Sequence, residues 1–138
     1  MNKSKRSLLL SSVVILLASG HLFSQTQSDT NQDACIRYKN ADAEMNRLYR
    51  QVLNSYKSDA VFTRKLKIAQ RAWTQFRDAH LESLYPKRDK LSAYGSSHSM
   101  CRCLVLADLT DERAGELKKW ATGAEEGDVC SGSTKKKD

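Results

Sequence analysis

The clearest pattern in the chain is a run of apolar side chains, spaced three and four residues apart, near its middle. Such spacing is typical of one face of an amphipathic helix that packs against a core. The positions on this face are Phe62, Leu66, Ala69, Trp73, Phe76 and His80. Ser58 or Asp59 is suited to cap the start of the helix. Pro86, the single proline of the chain, ends it because proline cannot continue a helix.

Two further segments show the same periodicity and complete the prediction of the fold. The first extends from about Asp33 to Tyr56, and Ser28, Thr30 or Asn31 is suited to cap it. The other extends from about Met100 to Thr122, and Gly123 follows as a C-terminal cap. Its predicted core face consists of Met100, Cys103, Leu104, Ala107, Ala114, Leu117 and Ala121. Because short connections favour antiparallel neighbours, we predict an all-α fold, a small three-helix antiparallel bundle.

Residues 87–99, KRDKLSAYGSSHS, form the one long loop between predicted helices. The segment is charged at first and then small and polar, and Gly95 is able to adopt positive φ. Long ordered loops in compact domains often carry function, and an inert connection is the equal alternative. This loop between the second and third helices is therefore the first candidate for a functional surface.

The first two dozen residues have the pattern of a secretory signal peptide. Three positive charges precede an apolar stretch at residues 8–17, and small residues follow. We expect a signal peptide at residues 1–24, cleaved after residue 20 or 24, since the apolar stretch is too short for a permanent membrane anchor. The remainder divides into a helical domain at residues 30–122 and a C-terminal tail at residues 123–138. The processed protein is expected to be periplasmic or secreted, without a membrane anchor.

Charge and composition narrow the function classes. The formal net charge is +7, and loss of the three basic residues of the signal peptide lowers it to +4. We expect the lysines at positions 135–137 to be a solvated run. Nucleic-acid binding would need a basic face with aromatic stacking or a groove-reading element, which the sequence does not suggest. Without a phosphate loop, an acid–base pair or an activated nucleophile, we expect no enzyme and no cofactor.

The cysteines predict disulfides. They are Cys35, Cys101, Cys103 and Cys130. Two bridges would support a small core in an oxidising compartment. Metal binding by His98 with Cys101 and Cys103, or by His80 elsewhere, is the alternative. A bridge between Cys101 and Cys103 is disfavoured because their side chains diverge on a helix. Of the two connectivities that remain, Cys35 with Cys103 and Cys101 with Cys130 is favoured, since the first and third helices begin at the same end.

Polar side chains are interleaved with the predicted apolar faces. They are Asp42, Asn46, Arg71, Arg77, Asp78 and Arg113. Asp42 and Asn46 lie one turn apart on the same side of the first helix. The simplest role for the set is a network of hydrogen bonds and ion pairs that fixes the register of the helices. A polar recognition patch is the alternative.

Several short blocks in combination resemble a known family. They are Cys35, Ala41-Asp42, Met45-Asn46, Tyr49, Leu66, Ala69-Gln70-Arg71-Ala72-Trp73, Phe76-Arg77-Asp78-Ala79, Gly95-Ser96, Leu109-Thr110, Arg113 and Leu117. The combination resembles the LprI-type lysozyme-inhibitor domain, a small secreted helical module, over roughly residues 33–120. Many members carry a cysteine directly after the position of His80, where this chain has Leu81. The usual disulfide of the family is therefore not carried over.

The resemblance implies inhibition of lysozyme by non-covalent occlusion of its cleft. Lysozyme works with two carboxylates in a cleft, which a small loop with hydroxyls or a cation would plug. The loop residues predicted to bind are Tyr94, Gly95, Ser96, Ser97 and His98. Animal lysozymes are generally basic, so a partner at +4 gains no long-range attraction, and we expect weak or salt-insensitive association. The alternative is a periplasmic protein-binding or scaffold module for another envelope protein.

Overall fold

The computed structural model describes the backbone of residues 5–137 and the side chains of residues 28–137. It contains four helices and no strand within that range, so the all-α class is confirmed. The helices are α1 (Lys5–Ser55), α2 (Ala60–Leu84), α3 (Lys90–Tyr94) and α4 (His98–Thr122). The signal peptide expected at residues 1–24 lies outside the residues with described side chains and stays a prediction. None of the helices, over the described residues, is long and apolar enough to cross a membrane.

The closest helix pair is α1 with α4, and α2 packs less closely on both. A disulfide joins Cys35 of α1 to Cys103 of α4. At the other end, the Tyr56 hydroxyl lies 3.4 Å from the Trp120 carbonyl oxygen. The two helices therefore run parallel, and α2 returns antiparallel to them. The buried core cluster consists of Met45, Leu48, Val52, Tyr56, Leu66, Ala114 and Leu117.

The buried face of α2 differs from the predicted one. Its buried residues are Leu66, Gln70 and Leu81, whereas Ala69 is exposed and Phe76 is 54% exposed. The prediction that Phe76 belongs to the core is therefore wrong. An amide, that of Gln70, is buried beside the two leucines because it forms hydrogen bonds there, and the helix is turned relative to the face expected from apolar spacing alone.

The boundaries of α1 and α4 and the inner face of α4 also differ from the predicted ones. α1 continues through residues 28–31, where the sequence predicts a cap, and α4 begins at His98 instead of Met100. The buried residues of α4 are Cys103, Leu106, Ala107, Thr110, Ala114 and Leu117. Leu106 and Thr110 were not predicted, while Met100, Leu104 and Ala121 are only partly buried.

The predicted long loop contains a helix. The Asp89 carboxylate caps α3 by accepting a hydrogen bond of 3.0 Å from the Ser92 amide. The helix ends at Gly95, which has a φ of 73° and donates its N–H to the Leu91 carbonyl at 2.9 Å. Only residues 95–97 separate α3 from α4, so the connection is a tight turn.

The C-terminal tail folds back onto the ends of α1 and α4. Ala124 pairs with Lys136 in a single parallel β-bridge. The Lys135 amide donates to the Tyr56 hydroxyl at 2.8 Å, and its ammonium group donates to the Ser55 carbonyl at 2.6 Å. The lysines at positions 135–137 are exposed as expected, and Lys135 in addition anchors the tail.

The cysteines form one disulfide instead of two. Cys35 and Cys103, the favoured pair, are bonded with their Cα atoms 4.9 Å apart, whereas Cys101 and Cys130 are free. The tail does not run along α4, and Cys101 lies about 32 Å from the end of that helix where the tail is attached. The predicted second bridge is consequently wrong. The bonded Cys103 is also unable to serve as a thiolate ligand, which removes the metal alternative with His98.

Candidate functional site

The five loop residues predicted to bind a partner lie at the junction of α3 and α4. Tyr94 is the last residue of α3, and His98 is the first of α4. Both are partly buried, as is Ser97, while Gly95 and Ser96 are exposed. A Cβ atom added at Gly95 would meet no atom within 4 Å. The turn therefore presents Gly95 and Ser96 to open space, and its flanking side chains face the protein.

An aromatic cluster of Tyr85, Tyr94 and His98 holds both ends of this turn. The ring centroids of Tyr85 and Tyr94 are 5.2 Å apart, and those of Tyr85 and His98 are 4.8 Å apart, both in edge-to-face geometry. Tyr94 and His98 stack at 5.7 Å. Each such contact adds about 0.5–1.5 kcal/mol beyond area burial. Sequence reasoning missed Tyr85, although its place before Pro86, at the start of the connection, was a usable signal.

Polar contacts tie the same segment to the end of α2. The Lys87 amide donates to the Tyr94 hydroxyl at 3.1 Å. The Lys90 ammonium group pairs with the Glu82 carboxylate at 2.9 Å and also donates to the Tyr85 carbonyl. The two contacts of Lys90 join residues before and after the proline, so they fix α3 against the helix that precedes it.

Burial shapes the chemistry of the cluster. Desolvation raises the pKa of Tyr85, and the nearby Cys101 and Tyr94 add to the rise because each disfavours a further negative charge. The raised pKa keeps the Tyr85 hydroxyl protonated to a higher pH than that of a free tyrosine. The exposed part of the turn offers a hydroxyl at Ser96 and backbone amides, which are hydrogen-bonding groups without a formal charge.

One part of the predicted polar set lies between α1 and α2. The Asn46 amide donates to the Asp42 carbonyl at 2.8 Å and to its carboxylate at 2.9 Å. The Arg77 guanidinium lies 2.8 Å from the Asp78 carboxylate and 3.7 Å from that of Asp42. It also stacks 5.4 Å from the Trp73 ring centroid. The side chain of Arg77 is only 12% exposed, so its charge is sheltered by the two carboxylates and the ring.

A second polar group connects all three long helices. Arg113 of α4 donates from Nε to the side-chain Oε1 of Gln70 at 2.9 Å, and the Gln70 Nε2 contacts the Met45 sulfur at 3.5 Å. Burial lowers the pKa of Arg113, whereas the negative charge of Glu116 acts to raise it. Sequence reasoning omitted Gln70 from the set, although it lies within the family block. Arg71 is exposed and has no polar partner in the part of the chain that the structure describes.

A shallow groove of about 550 Å³ opens between α2 and α4. Its lining consists of Trp73, Glu112, Arg113, Gly115, Glu116 and Lys119. Glu116 is paired with Lys119 at 2.7 Å, which leaves the Trp73 ring as the main apolar element. The groove lies where α2 and α4 are not in close contact. The hydrogen bond between Arg113 and Gln70 crosses the gap between the two helices there.

Comparison with known proteins places these features in a family. The family model described as "Lysozyme inhibitor LprI" matches residues 22–117. An uncharacterized protein of Rhizobium meliloti (strain 1021) is 35% identical over 112 residues, which cover 72% of this chain and 77% of that protein. No solved structure matches. The family match spans both polar groups, the disulfide and the turn, and the chain belongs to the lysozyme inhibitor LprI family.

Proposed function

We propose that the protein inhibits lysozyme by non-covalent occlusion of the lysozyme cleft, with the turn of residues 94–98 as the inserted element. The observation that carries the proposal is the family match over residues 22–117. In this proposal the protein acts as a binding partner and performs no chemistry of its own.

The shape of the turn supports its assignment as the inserted element. Gly95 and Ser96 protrude, while Tyr94 and His98 are engaged with Tyr85. A turn that is already held in one conformation loses little entropy when it binds. The Ser96 hydroxyl and the backbone amides of Ser96 and Ser97 are donors suited to the two carboxylates of a lysozyme cleft.

Charge sets an expectation for the mode of association. The chain without residues 1–24 has a formal charge of +4, from the +7 of the whole sequence. Two basic proteins gain no long-range attraction, so association relies on short-range contacts. Affinity should therefore change little with added salt, in contrast to an inhibitor that is steered by opposite charge.

A cell-wall lysis assay tests the proposal. The oxidised protein, purified in the form that export releases, should inhibit lysozyme in a saturable way. Full lysozyme activity in a large excess of the protein would refute inhibition. The Ser96→Trp variant should lose inhibition because the larger side chain alters the tip of the turn. Ser133→Trp, at an exposed position of the tail, is the matched control and should inhibit normally.

The assignment of the turn has its own test. The His98→Ala variant should weaken inhibition, because it removes two of the ring contacts that hold the turn. If Ser96→Trp and His98→Ala both inhibit like the unmodified protein, the family function stands and another surface binds lysozyme.

A location outside the cytoplasm is part of the same proposal. It agrees with the signal-like pattern of residues 1–24 and with a disulfide between Cys35 and Cys103. Fractionation of cells that express the whole chain should recover a shortened, oxidised protein from the periplasm or the medium. Recovery of full-length, reduced protein from the cytoplasm would contradict it.

A further inference from the structure

The outward face of α2 carries an apolar stripe that the fold leaves uncovered. Val61 is 60% exposed, Ile68 is 55% exposed and Phe76 is 54% exposed. At 100° per residue these side chains fall within about 80° of one another, on the side opposite the buried Leu66 and Gln70. The stripe extends over about 22 Å of helix, so it is a line of contacts on a convex surface.

Basic side chains accompany this stripe without acidic partners. Lys65 lies within the stripe, and Arg64 and Arg71 lie about 40° and 60° beyond its edge at 100° per residue. All three are exposed, and none of their side chains forms an ion pair or hydrogen bond with another residue that the structure describes. No aspartate or glutamate occurs between residues 60 and 77. Some exposed cations elsewhere have carboxylate partners, such as Arg47 with Glu44 at 2.6 Å, while others, such as Lys39, are exposed without one in the described part of the chain.

We propose that the outward face of α2 binds the surface of an anionic lipid bilayer. Long basic side chains reach phosphate groups while their stems and the apolar stripe lie in the boundary between headgroups and acyl chains. A straight, convex line of apolar residues suits a flat bilayer surface, whereas a protein partner would have to supply a complementary acidic groove. A second copy of the chain is an unsuitable occupant because the same cations would face each other.

The proposed contact is peripheral and reversible, and it is separate from inhibition of lysozyme. Its residues lie between positions 61 and 76, whereas the turn of residues 94–98 follows α2 in the chain. A lysis assay without lipid therefore reports on the turn alone, and a vesicle assay without lysozyme reports on α2 alone.

Vesicle binding tests the proposal. Protein purified in the form that export releases is incubated with vesicles of phosphatidylcholine alone or of equimolar phosphatidylcholine and phosphatidylglycerol, and the bound fraction is measured by sedimentation. We expect binding to the anionic vesicles that decreases with added salt, and little binding to the neutral ones. Because one cation near an anionic surface changes affinity about fivefold, the variant Arg64→Gln/Arg71→Gln should bind at least tenfold more weakly.

Matched variants distinguish binding by this face of α2 from binding that depends only on the net charge of the protein. Lys39→Gln/Lys118→Gln removes the same charge from exposed positions on α1 and α4 and should change binding less than threefold. Ile68→Asn should weaken binding, while Val129→Asn, at a position that is 96% exposed in the tail, should not. Absence of binding to anionic vesicles, equal binding to both compositions, or equal loss in the two charge variants would overturn the proposal.

Discussion

Removal of the disulfide by the double substitution Cys35→Ala/Cys103→Ala should lower the free energy of unfolding by about 4 kcal/mol. The bond joins residues 68 positions apart, and a cross-link of that span removes loop-closure entropy from the unfolded chain of about this size at 25 °C. Small domains are stable by only about 5–15 kcal/mol. The loss is therefore a large share of the total, and the variant should be marginally stable.

No neighbouring contact is strong enough to compensate. Arg37 of α1 pairs with Asp108 at 2.6 Å and with Asp111 at 3.0 Å near the same end of α4. All three side chains are about half exposed or more, and exposed ion pairs contribute about 0–1 kcal/mol. Because the disulfide contributes about 4 kcal/mol and an exposed ion pair about 0–1 kcal/mol, the disulfide is the dominant link between α1 and α4 at this end.

Urea unfolding followed by circular dichroism measures the effect, with Cys101→Ala/Cys130→Ala as the matched control. The control also loses two cysteines, but both are free thiols, so its unfolding free energy should change by no more than about 1 kcal/mol. Titration of the unfolded, unreduced protein should find two thiols per chain. A loss below about 1 kcal/mol for Cys35→Ala/Cys103→Ala, equal losses in both variants, or no titratable thiol would refute the reasoning.

Three further substitutions test other parts of the structure. The Thr110 hydroxyl is buried and has no hydrogen-bond partner among the described residues, so Thr110→Val should stabilise by about 1 kcal/mol in thermal unfolding; destabilisation would mean that the hydroxyl has a partner. Tyr56→Phe removes the acceptor of the Lys135 amide and should speed hydrogen exchange in the tail, and unchanged protection would contradict this anchor. Burial raises the pKa of Tyr85, so its contribution to stability is present below the usual tyrosine pKa near 10 and is lost as pH rises through the raised value. Tyr85→Phe should therefore show a smaller decrease in urea-unfolding free energy at alkaline pH, and identical decreases would refute this assignment.

Periodicity predicted the existence of the long helices well but not the orientation of α2. A prediction from hydrophobic periodicity assumes that one face of a helix is apolar and the other polar. In α2 both faces carry apolar residues, with Leu66 and Leu81 inside and Ile68 and Phe76 outside. Gln70 is the most informative residue because its two hydrogen bonds satisfy it in a buried position, and such satisfaction is invisible until its partners on the other helices are known.

The sequence of the connection between α2 and α4 contains signals for a short helix, although its polarity suggested only a loop. Asp89 and Gly95 are placed as N-cap and C-cap of α3, and these residue types are ordinary signals for helix ends. Tyr85 and His98 are 13 positions apart, so their ring contact depends on the fold and not on local propensity. The return of Lys135 to Tyr56 is a contact of the same kind, over 79 positions.

The structure links the disulfide to the proposed inhibitory turn. Cys103 lies five residues after His98 on α4, which is about 7.5 Å along the helix. The disulfide therefore fixes the first turns of α4 against α1, while the contact of His98 with Tyr85 fixes the same helix end against the end of α2. The turn is held from two independent sides, one covalent and one aromatic. Its conformation consequently depends on both neighbouring helices, although neither α1 nor α2 supplies a residue of the turn.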